Sequence, residues 1–597
     1  MAPTNVTDPN YFHKVVDCQW ACPAHTPVPE YIRLIAAGRY SDAYMINWHS
    51  NVFPGVLGRT CDRPCEPACR RGRVEEQPVA ICRLKRVAAD SKDGDNVLSR
   101  MPKPAATKNG KRVALIGAGP ASLTVARDLL PLGYHVTIYD ADPFAGGMMR
   151  TQIPKFRLPE SVLDEECNYI LALEPETKFG QRIDSLKSVL DQDYDAVFVG
   201  CGAPRGRDLE IPGREEARAN IHIGIDWLSS VSFGHTTKIG KRVIVLGGGN
   251  TAMDCCRTSR RLGGEKVDVV VRSGFDEMKA SPWEKDDAMH EDIPIHNFMV
   301  PKEFQHDGGK LIGVVFEKVK AEKDAKGRRN LVPTGEPDVL MECDDVLVAV
   351  GQENAFPWIE RDLGVEFDPK WDMPVVDEVT FQSTNPKVFF GGDAAFGPKN
   401  IIWAVAHGHE AAVSIDLFLN GADVKVRPNP LVNLSSQKMG IHEWSYDNDV
   451  SMDLRFKVPH APKELTLHDV KMEVELGFNK DLGFKEAQRC LNCDIETVFA
   501  ESLCIECDAC VDICPVDCIT FTPNDPEPVL RHELTAPALN LTQDLYISDY
   551  LKTGRIMAKD EDVCLHCGLC AERCPTGAWD MRKFLLNMAN AEDACPR

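Results

Sequence analysis

Apolar and polar positions change their period along this chain, and the changes divide it. Up to about residue 105, apolar side chains recur at helical spacing in short patches, such as 31–37 and 42–48, each cut off by Gly or Pro. A connector rich in Lys, Pro and Gly, residues 101–111, leads into the apolar run Val113, Ala114, Leu115 and Ile116. From there to about residue 425, short apolar runs alternate with helical patterns, the signature of parallel sheets covered by helices. Residues 426–475 are irregular and dotted with proline and read as a wrapping linker, and 476–597 form a separate tail. No short-period repeat or low-complexity tract interrupts this order.

At 597 residues the chain exceeds a single core of ~100–200 residues, so roughly three to five domains are expected. Apolar residues at 43% and charged residues at 26% describe a globular chain rather than a disordered one. The formal charge of −22 argues against a phosphate backbone as partner, while leaving room for a local basic patch that docks an acidic protein. No run reaches the ~18–20 apolar residues of a membrane helix, and the opening MAPTNVTDPN lacks a basic-then-apolar signal, so a cytoplasmic protein is expected. Cysteine changes the picture most. Of 23, six lie at 18–82 and twelve at 490–595, and only Cys167, Cys201, Cys255, Cys256 and Cys343 fall between. Such clustering points to metal or cluster ligation rather than disulfides.

The first glycine turn, Gly117-Ala118-Gly119-Pro120-Ala121-Ser122, follows the apolar strand and opens a helix reaching about residue 132. Its glycines permit a tight turn and close approach of a pyrophosphate, which then rests on the helix N-terminus. Ser122 stands where a third glycine is usual and is small enough for helix–strand packing. A second strand, 135–139, ends at Asp140, placed to accept ribose hydroxyls. The second turn, Gly247-Gly248-Gly249-Asn250-Thr251-Ala252, follows a strand at 242–246. Its partner strand, 267–271, ends at Arg272 rather than an acid, which slightly favours the 2′-phosphate of NADP over the bare ribose of NAD. Cys255 and Cys256 on the following helix read as packing residues, because adjacent cysteines form strained disulfides.

Five further stretches accompany these turns: Gly146-Gly147; Ile153-Pro154-Lys155-Phe156-Arg157-Leu158-Pro159; Glu277-Met278-Lys279-Ala280-Ser281; Val350-Gly351-Gln352; and Gly391-Gly392-Asp393 with a helix at 400–412. With them the chain resembles the NADPH-dependent glutamate synthase small-subunit family, which includes the N-terminal half of dihydropyrimidine dehydrogenase, over most of residues 15–425. The resemblance implies a helical iron–sulfur domain at 1–105, a Rossmann-like FAD-binding domain at 106–205 plus 340–425, and a Rossmann-like NAD(P)-binding domain at 206–339. It also implies that Asp393 binds the flavin ribityl chain and that the helix start at Asn400-Ile401 faces the flavin ring, where its dipole stabilises the anionic reduced form. Gly146, Gly147, Arg157, Gly351, Gln352 and Gly392 join the implied cofactor set. Ser273 and Lys279 depart from the family pattern, which often has a second arginine and a proline there.

The tail repeats one pattern twice: Cys504-x2-Cys507-x2-Cys510-x3-Cys514-Pro515 and Cys564-x2-Cys567-x2-Cys570-x3-Cys574-Pro575. This is similar to two-cluster bacterial ferredoxins, α+β domains in which the fourth cysteine of each run crosses to the other cluster. One [4Fe-4S] cluster is therefore expected on Cys504, Cys507, Cys510 and Cys574, and a second on Cys564, Cys567, Cys570 and Cys514. Zinc is the competing reading, but zinc ribbons use two CxxC pairs rather than a doubled CxxCxxCxxxCP. Cys518 and Cys595 read as surplus. The spacer 515–563 reads either as a partner-docking insertion or as a covering loop.

The family's helical domain usually opens on CxxC, then CxxxCP, then CxxxCxxxC, and holds two clusters. Here Cys18-x3-Cys22-Pro23 and Cys61-x3-Cys65-x3-Cys69 are present, but His13-Lys14-Val15-Val16-Asp17 stands where the leading CxxC is expected. Glu486-Ala487-Gln488-Arg489-Cys490-Leu491-Asn492-Cys493 resembles that leading segment, displaced along the chain. The expectation is that Cys490 and Cys493 fold back to join Cys18 and Cys69, leaving Cys22, Cys61, Cys65 and Cys82 for a second cluster. In the place where the family often supplies a non-cysteine ligand stands Lys85, a poor ligand while protonated. The competing reading is one N-terminal cluster with Cys490 and Cys493 unligated.

Nicotinamide exchanges hydride, iron–sulfur clusters exchange single electrons, and flavin does both. The expected function is an electron-transfer flavoprotein subunit passing electrons between NAD(P)(H), FAD and four [4Fe-4S] clusters. Its partner would be ferredoxin or a catalytic subunit such as a 2-oxoacid:ferredoxin oxidoreductase, in a hetero-oligomer. No acid–base dyad is required, and no catalytic residue is assigned. The alternative is a glutamate synthase small subunit, against which the extra ferredoxin module argues. A flavoprotein disulfide reductase would need a redox cysteine pair near the flavin, and no cysteine lies between Cys82 and Cys167.

Overall fold

The computed structural model describes residues 1–323, 329–444, 448–534, 538 and 540–587, so Cys595 lies outside the described residues. The chain divides into two compact units, one formed by Met1–Met101, Lys425–Val458 and Gly477–Arg597, the other by Pro102–Val424 and Pro459–Leu476. Among the described residues, no helix is long and apolar enough to cross a membrane.

The second unit carries two five-stranded parallel sheets. In the first, the order is Val388–Phe390, Ala196–Val199, Arg112–Ile116, His135–Asp140 and Glu176–Phe179. In the other, it is Ile221–Ile223, Asp345–Val348, Arg242–Leu246, Lys266–Val271 and Ile295–Asn297. Both central strands are almost wholly apolar and buried, as parallel strands covered on both faces must be. Each glycine turn leaves the central strand of its sheet, where the strand order reverses and a crevice opens beyond the strand ends. Helices Pro120–Leu129 and Asn250–Arg261 follow the turns. Pro120 at the first helical position suits its fixed φ and missing N–H.

Two expected boundaries move. Strand Asp345–Val348 pairs in parallel with both Ile221–Ile223 and Arg242–Leu246, so the second lobe extends past residue 339 and the first resumes only after Val348. The antiparallel strands between Met299 and Glu342 form an insertion that reads in sequence like the end of a lobe. The expected linker is also split. Strand Leu431–Ser436 pairs with Trp579–Asn587, which pairs with Ile495–Phe499. Residues 459–476 belong to the other unit instead, where the Val474 N–H donates to the Phe156 carbonyl at 3.0 Å.

The first unit is helical where helices were expected, with Val28–Ala36, Tyr40–Asn51, Pro54–Thr60 and Ile81–Ser91 packed together. Helix Lys480–Ala487 packs against Val28–Ala36 and Ile81–Ser91, and a Cβ on Gly483 would stand 2.9 Å from Val87. Cys61, Cys65 and Cys69 lie in irregular chain containing Pro64 and Pro67, which cannot supply helical N–H groups. The spacer 515–563 is folded in its described part. Strands Ile519–Thr522, Ile556–Lys559 and Tyr546–Ile547 form an antiparallel sheet, with helix Glu527–Glu533 beside them in sequence.

Candidate cofactor and cluster sites

At the first turn, Gly117 has φ +100° and a Cβ there would stand 2.6 Å from the Gly200 carbonyl, so only glycine fits. Gly119 is different, since its Cβ would meet nothing nearer than 3.9 Å. That open side faces the start of the helix, where unpaired N–H groups favour an anion. The Gly146-Gly147 pair folds onto this turn, a Cβ on Gly147 falling 2.8 Å from the Gly119 Cα. Asp140 accepts from the Ala118 N–H at 2.5 Å and the Asp142 N–H at 2.8 Å. Ser122 is fully buried and its hydroxyl sits 2.3 Å from where a Gly200 Cβ would be, which is the close packing expected of a third small residue. Gly392, at φ +60°, packs against Ala121 and Ala404 and so brings Asp393 to the same crevice. Burial pushes the Asp393 carboxyl up to about 6, partly offset by the Lys399 N–H it accepts at 2.9 Å. Asn400 caps helix Ile401–Leu419 with its side chain.

The second turn repeats the arrangement. A Cβ on Gly247 would stand 2.1 Å from the Ala349 carbonyl at φ +140°, whereas one on Gly249 meets nothing within 4 Å. Asn250 accepts the Ser281 N–H at 2.8 Å, tying the turn to the Lys279-Ala280-Ser281 stretch, and Thr251 follows in the first turn of the helix. Arg272 is exposed at the end of its strand. Gly351 has φ +127°, and Gln352 donates to the Gln152 side chain at 2.8 Å. Arg157 does not lie open to a cofactor: its guanidinium pairs with Asp254 at 2.6 Å and with Glu284. Neighbouring Phe156 is stacked under Arg261, 3.8 Å from the ring centre, so this stretch clasps the helix of the second turn. Cys255 and Cys256 are buried in the apolar core, as packing residues.

In the first unit, three cavities are lined by cysteines. One is walled by Cys504, Cys507, Cys510 and Cys574, and a second by Cys514, Cys564, Cys567 and Cys570. These are the two crossed sets read from the doubled motif. The third cavity is walled by Cys18, Cys69, Cys490 and Cys493, four thiols drawn from segments more than 400 residues apart, the set in which the displaced CxxC folds back. Of the remaining four, Cys82 is in hydrogen-bond contact with Cys61 and Cys65, and these three together with Cys22 lie around the buried Lys85 ammonium, whose pKa they raise against the opposing effect of burial.

The backbone repeats at the cysteine pairs. The residue before the second cysteine of the leading CxxC in each run is left-handed: Asn492 at φ 53°, Glu506 at 55° and His566 at 55°. This conformation is uncommon outside glycine. It turns the Glu506 and His566 N–H groups onto Cys504 and Cys564 Sγ, both at 3.3 Å, and the Asn492 N–H onto Cys490 in the same way. Hydrogen bonds of this kind to sulfur tune iron–sulfur sites. Burial pushes the Cys490 thiol up to about 12. A coordinated cation reverses that, since a ligating thiol is deprotonated outright. Four convergent thiols per cavity fit a cubane cluster in donor number and softness.

Sequence reasoning missed several residues here. Cys518 is no bystander: it lines the Cys514 cavity, 3.5 Å from the Cys514 Sγ, and its hydrogen bonds pull Cys514 down to about 6 and Cys564 down to about 7. Lys559, Glu561, His566 and Glu496 form a fully buried polar cluster: Lys559 pairs with Glu561 at 2.8 Å, while burial pushes the His566 imidazole down and the Glu496 carboxyl up, so these two meet at 3.3 Å as neutral groups. Nothing local in the sequence marks it, since the strand ends at Lys559 and Glu561 lies in the turn that follows. Arg33, Arg70, Arg71 and Arg489 are buried cations; Glu30, Glu75 and Glu486 lie within one helical turn of three of them, but their long-range partners, such as Asp494 for Arg33 and the Cys564 carbonyl for Arg70, leave no local signal.

Comparisons with known proteins agree with this geometry. Residues 111–408 match the family described as pyridine nucleotide-disulphide oxidoreductase. Residues 12–97 match dihydropyrimidine dehydrogenase domain II, 4Fe-4S cluster, and 503–578 match the 4Fe-4S dicluster domain. The chain is 35% identical to the NADP(+)-dependent formate dehydrogenase subunit beta of Moorella thermoacetica, over 80% of this chain and 70% of that protein. It is 32% identical to the NADPH-Fe(3+) oxidoreductase subunit beta of Geobacter sulfurreducens, over 82% and 77%. It is also 32% identical to the glutamate synthase [NADPH] small chain of Escherichia coli K12, over 67% and 87%.

Proposed function

The chain belongs to the family of pyridine-nucleotide, iron–sulfur oxidoreductases that contains the glutamate synthase small chain. From that premise we propose an electron-transfer subunit that takes hydride from NADPH at the second glycine turn and delivers single electrons through four cysteine cages to a catalytic partner. When bound, flavin converts hydride into single electrons and the clusters carry them one at a time.

The chain's own part is binding and alignment. Gly117, Gly119 and the start of helix Pro120–Leu129 hold the flavin pyrophosphate, Asp140 holds ribose, and Asp393 the ribityl hydroxyls. Gly247, Gly249, Asn250 and Thr251 hold the nicotinamide dinucleotide, and exposed Arg272 provides a cation for a 2′-phosphate. The cages of the first unit are Cys22/Cys61/Cys65/Cys82, Cys18/Cys69/Cys490/Cys493, Cys514/Cys564/Cys567/Cys570 and Cys504/Cys507/Cys510/Cys574. Cys507 and Cys567 are exposed, which makes the ferredoxin-type cages the outlet toward a partner. Ferredoxin, or a catalytic subunit of the kind named in the relatives, such as a formate dehydrogenase, suits that outlet.

The observation that carries the reading is the cavity walled by Cys18, Cys69, Cys490 and Cys493, whose CxxC loop has the same left-handed residue as both ferredoxin-type loops. The test is anaerobic purification followed by iron and flavin assay and NADPH-driven reduction of a viologen dye. A flavin-loaded, iron-rich protein that reduces the dye supports it; a protein without iron, or one that reduces no acceptor with NADPH or NADH, rejects it.

A further inference from the structure

Arg70 follows Cys69 directly and lines the cavity of the Cys18/Cys69/Cys490/Cys493 cage, yet its guanidinium reaches into the neighbouring cage's chain. It donates to the Glu561 carbonyl at 2.9 Å and to the carbonyl of Cys564, a ligand of the second ferredoxin-type set. On its other edges it donates to the Asp17 carboxylate at 2.5 Å, beside Cys18, and to the Val15 carbonyl at 2.9 Å. The side chain is 2% exposed, so this positive charge lies out of water between two sets of thiols. Arg73 repeats the bridge at the rim, with the Asp562 carbonyl at 2.6 Å and Asp17 at 3.6 Å.

We propose that Arg70 is the positioning residue that couples these two cages, holding them at one hydrogen-bonded bridge and raising the reduction potentials of both. This rests on the reading that both cages hold clusters. The bridge is short: Cys69 is joined to Arg70 by one peptide bond, and Arg70 to Cys564 by one hydrogen bond. Exchange between the cages moves one electron, supplied by NADPH, and no proton, because a guanidinium does not titrate. A fixed positive charge in a low-dielectric setting favours the reduced, more negative state of each neighbour. The other two cages touch Arg70 nowhere in the described structure and need feel it little.

The test uses the iron-loaded, full-length protein under anaerobic conditions. Arg70→Gln removes the charge and keeps part of the hydrogen bonding; Arg70→Lys keeps the charge but cannot span all four acceptors. The readouts are iron content, a redox titration followed by paramagnetic resonance, and the rates of flavin and cluster reduction after mixing with NADPH. Arg70→Gln should keep its iron and its flavin reduction rate. Its two flanking clusters should show an about tenfold lower reduced-to-oxidised ratio at a fixed potential, equivalent to ~59 mV for a one-electron couple, with the outer two changing less than twofold. Arg70→Lys should hold these potentials while cluster reduction slows several-fold. Unchanged potentials and rates in an iron-complete Arg70→Gln protein overturn the proposal, as does an equal shift of all four clusters. Should Arg70→Gln not load iron, Arg70→Lys decides, and a wild-type rate there overturns it. A wild-type protein lacking the iron of these two cages fails the underlying reading instead, before any variant is made.

Discussion

Arg33 and Asp494, separated by 461 positions in the chain, form a buried two-pronged ion pair with N···O distances of 2.6 and 2.5 Å. The pair clamps the Cys490-x2-Cys493 loop onto helix Val28–Ala36, between the strands of the tail and the helices of the first hundred residues. Arg489 fastens the same loop from its other side, donating to Gln77 at 2.9 Å and pairing with Glu486 at 2.7 Å. Glu486 in turn accepts the Ala80 N–H at 2.8 Å, the residue just before helix Ile81–Ser91. The fold-back that brings four distant thiols together is therefore held by buried charge as well as by the packing of Lys480–Ala487.

Asp494→Ala leaves the buried Arg33 cation with Glu30 as its one carboxylate and a long contact to the Asn492 amide oxygen, and breaking a buried pair of this kind costs about 3–5 kcal/mol. The expected outcome is a lower denaturation midpoint together with loss of about one cluster's iron, measured by chemical denaturation and iron assay on the same sample. Full iron with unchanged stability would show that the clamp is not needed.

Cys490→Ser with Cys493→Ser should remove about a quarter of the iron in a protein with four cubane clusters. Cys18→Ser with Cys69→Ser should remove the same quarter and no more when the two pairs are combined, because all four serve one cage. Cys518→Ala should leave iron content unchanged while shifting the spectrum of the neighbouring cluster, through loss of its hydrogen bonds to Cys514 and Cys564.

Glycine substitutions separate folding from binding. Gly247→Ala forces a Cβ within 2.1 Å of a backbone carbonyl and should destabilise the second lobe outright. Gly249→Ala meets nothing within 4 Å, so the fold should persist while NADPH binding weakens at least ~10-fold, as the methyl occupies the pyrophosphate's approach. Titration of NADPH against each variant, beside thermal unfolding, reads both effects.

Asp393 sets a pH dependence. Its carboxyl is pushed by burial from the ordinary 3.8 up to about 6, so the folded state holds its proton more tightly than the unfolded chain. Stability from this group is therefore present below about pH 4 and lost as pH rises through about 6, by roughly 3 kcal/mol at most. In flavin-free protein, Asp393→Asn should flatten this part of the stability–pH curve and should also weaken FAD binding. An unchanged curve would falsify the assignment of that slope to Asp393.

The proposed 2′-phosphate contact makes Arg272 the residue expected to set nucleotide choice. Arg272→Ala should raise KM for NADPH about tenfold with kcat and NADH kinetics little changed, since an exposed arginine contributes binding rather than chemistry. Equal effects on both nucleotides would remove Arg272 from the 2′-phosphate site.

Much of this molecule was written in local pattern. Cysteine spacing specifies which thiols leave one loop together, because the bite of CxxC is set by a few bonds. The two glycine turns, their helices and the unbroken apolar runs of the central strands follow from such short-range patterns, whereas the crossing of the ferredoxin sets follows from the doubled motif's resemblance to two-cluster ferredoxins. Tertiary structure alone decided the rest. The register of Asp345–Val348 in the second sheet depends on pairing with strands on both of its sides, which no local period reveals. Arg157 looked like a cofactor ligand until Asp254 and Glu284 took up its guanidinium. Cys518 looked surplus until a turn laid its sulfur beside Cys514. The meeting of Cys490 and Cys493 with Cys18 and Cys69, and the bridge from Arg70 to Cys564, depend on side chains far apart in sequence finding one another out of water. Burial and buried charge settle such pairings, and both are properties of the packed whole rather than of any segment.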